Sequence, residues 1–116
     1  MPLRIEHITF DCADPVKVGT FWAGAFGRTL DEGASPFFAS IGKSAPDGSV
    51  ALLFLAVPEP KAAKNRMHID THGDDREHEV TRLVELGATR IAEKDEWGTR
   101  WTVMNDPEGN EFCVAQ

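Results

Sequence analysis

The segment at residues 67–72, with the sequence MHIDTH, constrains the fold more than any other stretch of this 116-residue chain. Its polarity alternates with a period of two, so that its more polar residues, among them His68 and Asp70, share one face. Because successive side chains of a β-strand point to opposite faces, this alternation predicts a strand with two different surroundings. A helix is expected directly after it, since Asp74 and Glu77 have the spacing of a capping box.

The same order of elements starts at His7, which predicts an internal repeat. A strand is expected at residues 3–11, and after it Asp14 precedes a proline, as at the start of a helix. Each predicted helix ends at a glycine, a residue favoured just after a helix C-terminus. Gly27 lies 20 residues after His7, and Gly87 lies 19 residues after the histidine of the second strand.

Three further strands are expected after each helix. They lie at residues 28–31, 36–41 and 49–57 in the first half, and at 88–93, 99–104 and 111–115 in the second. The strand at 49–57 follows a Pro-Asp-Gly turn at 46–48, and its centre is apolar on both faces, as in a strand buried inside a sheet.

We therefore predict an α+β fold in which two tandem βαβββ modules form curled sheets around a cleft, with the helices on the outside. Module one would span residues 1–57, a linker 58–66, and module two 67–116.

Composition narrows the classes of partner. The net charge is −7 and no cluster of lysine and arginine is present, which argues against nucleic acid as a partner. The chain has no long apolar run and no signal-peptide pattern at its start, so we expect no membrane contact and a cytoplasmic location. Its two cysteines, Cys12 and Cys113, are expected to be free thiols.

Several short motifs occur in a characteristic order. They are EHI at 6–8, FW at 21–22 with FG at 26–27, MHID at 67–70, LGA at 86–88, and DPEGNEF at 106–112. Together they resemble the vicinal oxygen chelate superfamily, which includes glyoxalase I, extradiol dioxygenases and bleomycin-resistance proteins. The resemblance covers essentially the whole chain and is nearest to small proteins described as glyoxalase-like domains. It implies a small-molecule ligand and a homodimer.

The resemblance also implies where a divalent metal would bind. Metal-using members of the superfamily place ligands at four cleft positions, which fall here on His7, Leu55, His68 and Cys113. Leu55 cannot bind a metal, and glyoxalase I has a glutamate where this chain has Cys113. Glu111 lies two residues earlier on the same strand face. Zn²⁺ tolerates two histidines with a cysteine, whereas Fe(II) prefers two histidines and a carboxylate.

The candidate ligand set for Zn, Ni, Mn or Fe is therefore His7 and His68 with Glu111, or with Cys113 in its place. The alternative is a metal-free cleft that the two histidines merely line. The candidate catalytic residues are His68, Asp70 and Glu111, because a buried pair of acids could have raised pKa values and transfer protons. The alternative for these acids is an ion pair with Arg66 or another basic residue.

The apolar cleft positions favour a small organic ligand over an ion alone. Either Trp97 or Trp101 could stack on a ring of such a ligand. The residues expected to contact the ligand are His7, Leu53, Leu55, Trp101 and Cys113.

Three functions are compatible with the sequence. The first is a glyoxalase-like protein that binds a small organic ligand and is not a true glyoxalase I, because carboxylates are missing from the expected metal positions. The second is a divalent-metal-dependent lyase or dioxygenase. The third is a drug-sequestering protein of the bleomycin-resistance type, with which the charge of −7 is compatible.

Overall fold

The computed structural model describes residues 2–43 and 48–116 of the chain. These residues form a mixed α+β fold with a three-stranded sheet and a four-stranded sheet, which confirms the expected fold class. The chain divides into two compact units, Met1–Pro60 and Lys61–Gln116. Neither helix in the described residues is long and apolar enough to cross a membrane.

The first unit contains one helix and three strands, namely β1 (His7–Cys12), α1 (Pro15–Ala25), β2 (Phe38–Ile41) and β3 (Ala51–Ala56). The sheet order is β1-β3-β2, with β1 parallel to β3 and β2 antiparallel to it. The apolar strand β3 is therefore central, as its sequence predicts. Of the turn expected at residues 46–48, the first two residues lie outside the described part of the chain.

The start of helix α1 is the one predicted. The Asp14 carboxylate accepts a hydrogen bond of 3.1 Å from the backbone N–H of Lys17, so Asp14 is the N-cap, and a proline opens the first turn. Phe21 and Trp22 are buried on the inner face of the helix. Phe10 of β1 packs against Trp22 with 5.5 Å between ring centroids. The even-numbered residues of β1 thus face α1.

The strand expected at residues 28–31 is not formed, so the first unit has three strands instead of four. Instead, Asp31 forms hydrogen bonds with residues at the end of β2. Its N–H donates to the carbonyl of Ser40, and its carboxylate accepts from the Ser40 hydroxyl at 2.7 Å. The same carboxylate accepts from the N–H groups of Gly42 and Lys43. The segment therefore anchors the end of β2 through a side chain.

The second unit has the predicted order of elements. They are β4 (Ile69–His72), α2 (Arg76–Leu86), β5 (Thr89–Glu96), β6 (Thr99–Asn105) and β7 (Glu111–Ala115). The sheet order is β4-β7-β6-β5, with β4 parallel to β7 and the other pairs antiparallel. The organising strand is confirmed, although it begins at Ile69 and leaves His68 just before it.

Helix α2 begins one residue later than the sequence predicts. Asp75, not Asp74, is the N-cap, and its carboxylate accepts a 3.1 Å hydrogen bond from the N–H of His78. Either of two consecutive aspartates could cap the helix, and the second one places Arg76 in a buried position. The helix ends as expected at Gly87, which has a φ of +123°.

Helix α2 covers one face of the four-stranded sheet and leaves the other open. It contacts β5, β6 and β7. Along β6 and β7 every second residue is fully buried, and these residues are Thr102, Met104, Phe112 and Val114. The intervening residues Trp101, Val103, Glu111 and Cys113 point to the opposite face because side chains alternate along a strand.

A buried charge cluster ties α2 to this sheet. Arg76 donates to the Thr102 hydroxyl at 2.9 Å and to the carboxylate of Glu93, and it lies 3.6 Å from the carboxylate of Glu77. Arg90 binds both Glu77 and Glu93 from the exposed side. No pattern in the sequence predicts a buried arginine at the start of this amphipathic helix.

We expect Arg76→Ala to lower the free energy of unfolding by about 2 kcal/mol, because it removes a buried guanidinium together with its hydrogen bond to the buried Thr102 hydroxyl and its ion pairs. Arg82→Ala is the matched control on the same helix, since its pair with Glu79 is partly exposed. That substitution is expected to cost at most about 0.5 kcal/mol. Urea denaturation measures both values, and equal losses would contradict the importance of the buried cluster.

Candidate functional site

The open face of the four-stranded sheet carries a cavity of about 530 Å³. All of its lining residues belong to the second unit. They are Lys64, His68, Asp70, Thr71, Trp97, Thr99, Trp101, Val103, Glu111, Cys113 and Ala115. The lining therefore includes all five site residues that were predicted in the second half of the chain, namely His68, Asp70, Trp101, Glu111 and Cys113.

Strand register explains how the side chains of this face are arranged. Asp70 of β4 lies beside Cys113 of β7, and Cys113 lies beside Val103 of β6. Two residues further along β7, Ala115 lies beside Trp101 of β6. The face thus has a polar end next to β4 and an aromatic end on β6. Thr99, Val103 and Ala115 also line this face but were not predicted. Because they are an even number of residues from Trp101 or Cys113 on the same strands, the alternation of side chains could have identified them.

The polar end contains three groups of different chemistry in close contact. His68 Nδ1 lies 2.9 Å from Asp70 Oδ1. Within the described residues, one ligand atom each from His68, Asp70 and Cys113 lie within 4.8 Å of one another. When Nδ1 carries the proton donated to the carboxylate, Nε2 keeps its lone pair and can accept a proton or bind a metal. The carboxylate therefore fixes both the orientation and the tautomer of the imidazole.

Cys113 is a protonated thiol in this setting. Burial raises the pKa of Cys113, and the negative charge and hydrogen bond of Asp70 raise it further, while the ammonium of Lys64 has a smaller opposing effect. A thiol with a raised pKa is a weak nucleophile at neutral pH. The group of His68, Asp70 and Cys113 therefore differs from a catalytic cysteine and histidine pair, in which the pKa of the cysteine is lowered. Neither Cys12 nor Cys113 forms a disulfide within the described residues.

Glu111 is held by the segment that precedes β4. Its carboxylate accepts a 2.9 Å hydrogen bond from the backbone N–H of Asn65 and lies 3.1 Å from the Lys61 ammonium. The Asn65 side chain also donates to the Asn110 side chain at 2.8 Å. We call this set, made of Lys61, Asn65, Asn110 and Glu111, the clasp.

The clasp determines the charge state of Glu111. The hydrogen bond from the N–H of Asn65 and the ion pair with Lys61 lower the pKa of Glu111, although burial opposes them. The expectation of a raised pKa is therefore wrong for Glu111. The alternative, an ion pair with a basic residue, is correct, and the partner is Lys61 instead of Arg66. Glu111 lines the cavity, and its roles in catalysis and metal binding stay predictions.

The remaining predicted site residues belong to the first unit. His7 lies beside Ala51 at the start of β1, and Leu53 lies beside Thr9. These positions have the opposite parity to Phe10, so they occupy the sheet face away from α1. Leu53 is buried and Leu55 is 37% exposed. The predicted contacts of His7, Leu53 and Leu55 with a ligand, and that of His7 with a metal, stay predictions.

A strained tryptophan forms the tip of the β5–β6 hairpin. Glu96 pairs with Thr99, so Trp97 and Gly98 make a two-residue turn, with φ values of +51° and +75°. Such turns need positive φ at both central residues and favour asparagine or glycine there. A side chain larger than that costs roughly 1–2 kcal/mol in the left-handed region.

The ring of Trp97 stacks on Trp101. The two ring planes are 13° apart and their centroids are 6.1 Å apart. An aromatic pair of this kind contributes about 0.5–1.5 kcal/mol. Since Trp97 is 89% exposed, little further stabilisation comes from burial. The stack therefore offsets the backbone strain and leaves the fold little net gain.

The clasp predicts a pH-dependent stability. A carboxyl group whose pKa is lowered by folding stabilises the fold above its ordinary pKa of 4.5, and this contribution is lost as the pH falls through the lower folded value. Glu111→Gln should therefore cost about 1 kcal/mol at pH 7 and clearly less at pH 3.

Urea denaturation at a series of pH values measures this difference. Glu85→Gln is the control, because Glu85 is exposed on α2 and has no ion pair among the described residues. A cost for Glu111→Gln that is the same at pH 3 and pH 7 would mean that its charge does not hold the clasp.

Comparison with known proteins places this geometry in a family. Residues 7–115 match the family described as Glyoxalase-like domain. Among proteins of curated function, none matches the sequence significantly. A glyoxalase/bleomycin resistance protein/dioxygenase family enzyme from Burkholderia phytofirmans PsJN has a similar structure, with 22% identity and a TM-score of 0.76. The alignment covers 97% of this chain and 98% of that one.

Two further structures are similar at lower identity. The fosfomycin resistance protein FosX from Listeria monocytogenes has 14% identity and a TM-score of 0.78, over 99% of this chain and 90% of that one. Lactoylglutathione lyase from Agrobacterium tumefaciens has 19% identity and a TM-score of 0.67, over 98% and 93% of the two chains. The structural similarity at these identities shows a common fold. The family match extends over nearly the whole chain. The protein therefore belongs to the glyoxalase-like domain family of the vicinal oxygen chelate superfamily.

Proposed function

We propose that this protein binds a small organic ligand in the cavity of its second unit. The observation that carries the proposal is the cavity of about 530 Å³, whose lining is polar at one end and aromatic at the other. Binding sites for small molecules commonly have this size and a few polar groups on an apolar surface. A lining divided in this way orients a ligand as well as holding it.

The polar end offers groups that can direct such a ligand. The imidazole of His68, oriented by Asp70, presents Nε2 as an acceptor, and the Cys113 thiol is a weak donor. Lys64 has no carboxylate partner among the described residues, and its ammonium adds a positive charge at the cavity edge. Val103, Ala115 and Trp101 supply the apolar floor.

The proposal does not extend to glyoxalase I chemistry. That reaction needs a carboxylate base at a metal. Cys113 occupies the position where glyoxalase I has its glutamate, and the neighbouring Glu111 is ion-paired with Lys61. The chain is therefore proposed as a glyoxalase-like binding protein with an unassigned reaction.

A cavity-filling substitution tests this proposal. Ala115 lies on the floor, so Ala115→Leu should fill part of the cavity without adding charge. Ala62→Leu adds the same atoms at an exposed position of the same unit and is the control. Compounds that raise the melting temperature of the unaltered protein in a thermal-shift screen are expected to lose their effect on Ala115→Leu and keep it on Ala62→Leu. Equal stabilisation of both variants would overturn the proposal.

A second candidate is a divalent-metal-dependent lyase or dioxygenase. The observation that favours it is the group formed by His68, Asp70 and Cys113, which offers a nitrogen, an oxygen and a sulfur ligand within 4.8 Å of one another. The similar FosX structure from Listeria monocytogenes was determined with Mn(II) and dihydroxypropylphosphonic acid. A divalent ion in this cavity would therefore have a parallel among structures of the same fold.

The donor chemistry fits Zn²⁺ better than Mn²⁺. Zinc accepts thiolate, imidazole and carboxylate together, and catalytic sites use three such ligands with one open position. Manganese prefers oxygen ligands, so a thiol among three donors disfavours it. A bound zinc ion would act as a Lewis acid and lower the pKa of a water molecule. For this, His68 would bind through Nε2, Asp70 would bind directly or orient the imidazole, and Cys113 would lose its proton.

Elemental analysis of untagged protein purified without chelators tests the metal candidate. We expect about one zinc per chain, and loss of most of it on His68→Ala. Replacing zinc by Co²⁺ should give a thiolate-to-cobalt absorption band that Cys113→Ser removes, which is a readout independent of activity. His78→Ala is the control, since His78 is exposed on α2. Metal-free protein that takes up neither ion would reject this candidate.

Three predictions about the wider setting stay open to experiment. They are the drug-sequestering role, the homodimer and the cytoplasmic location. A mass near 12.8 kDa by light scattering at high concentration would contradict the homodimer.

A further inference from the structure

The strained turn at Trp97 and its stack on Trp101 indicate which kind of ligand the cavity takes. We propose that these two rings hold a flat aromatic ring, while the polar end of the cavity contacts a hydroxyl or similar group attached to that ring. The inference rests on the proposed function, because it names the chemical class of the ligand for the same cavity.

The fold alone does not account for a tryptophan at position 97. The turn requires a φ of +51° there, which asparagine or glycine adopts with less strain. The stack on Trp101 only offsets that strain, and the ring remains 89% exposed. Backbone strain of this kind persists mainly where function requires it. A ligand-binding role accounts for the choice of residue.

The two rings share an orientation that suits a flat ligand. The planes of Trp97 and Trp101 are within 13° of parallel, so both present their flat faces in one direction. Both rings line the cavity. A flat ring placed on such faces gains the stacking interaction that proteins use to bind bases and other aromatic compounds. A saturated ring of the same size has no flat π-face and gains much less.

The spacing of residues on this face of the sheet suits a compound of two fused rings. Trp101 lies beside Ala115, and Cys113 lies beside Val103, so Trp101 and Cys113 are diagonal neighbours on adjacent strands. Such neighbours are about 7–8 Å apart, which is close to the length of a fused two-ring aromatic compound. A ring seated on Trp101 would therefore place its substituent next to Cys113 and Asp70, which can accept or donate hydrogen bonds.

The test compares two neutral compounds of the same skeleton, 2-naphthol and the saturated decahydro-2-naphthol. Calorimetric titration of the purified protein should give at least tenfold tighter binding of 2-naphthol. Trp97→Asn keeps a residue suited to the turn and removes the ring, so it should weaken 2-naphthol binding about tenfold. The melting temperature should change little. Phe37→Asn is the control. It removes an exposed ring of the first unit that is not among the residues lining the cavity, and it should leave binding unchanged.

Each of the other outcomes rejects the inference. Equal affinities for the two compounds, no binding of 2-naphthol, or unchanged binding by Trp97→Asn would show that the rings do not select the ligand. A large loss of stability without loss of binding would make the stack purely structural. A change from dimer to monomer on Trp97→Asn with binding intact would place Trp97 in an interface. In these cases the Ala115→Leu comparison still decides the proposed function separately.

Discussion

The parallel pairing of β4 with β7 is the interaction on which the second unit depends. It sets Asp70 beside Cys113, and the Thr71 hydroxyl donates to the Cys113 carbonyl at 2.8 Å across the same pair of strands. A slip of one residue would turn His68 and Asp70 towards α2, because side chains alternate along a strand. Helix α2 buries one face of the sheet, so the other face is the one available to a ligand. The site is therefore a consequence of register as much as of residue type.

The carboxylates on this face have different tasks. Glu111 is ion-paired with Lys61 and accepts a hydrogen bond from Asn65, so it secures the segment before β4 and is ionised at neutral pH. Asp70 is exposed and orients His68. Burial raises the pKa of Cys113, and the charge of Asp70 raises it further. The pair of His68 and Asp70 is thus exposed to the cavity, whereas Glu111 is tied to the segment before β4.

Local patterns predicted much of this arrangement, because period-two alternation and helix caps depend only on neighbouring residues. The strand of His68 and Asp70 and the central strand β3 follow from such patterns. Contacts between distant segments were not predictable in the same way. The partner of Glu111 is Lys61, 50 positions earlier in the sequence, and nothing in the sequence selects it over Arg66. The strain at Trp97 was not predicted either, because it depends on a backbone angle that the turn imposes.

The most direct test of the proposed binding site uses the three tryptophans of the chain. Their indole N–H groups give separate signals in a two-dimensional ¹H–¹⁵N NMR spectrum, which can be followed during titration with 2-naphthol. The signals of Trp97 and Trp101 are expected to shift with a common affinity, while that of Trp22, buried in the first unit, stays in place. A spectrum in which Trp97 and Trp101 do not move, or in which Trp22 moves as far as they do, would contradict binding at this cavity.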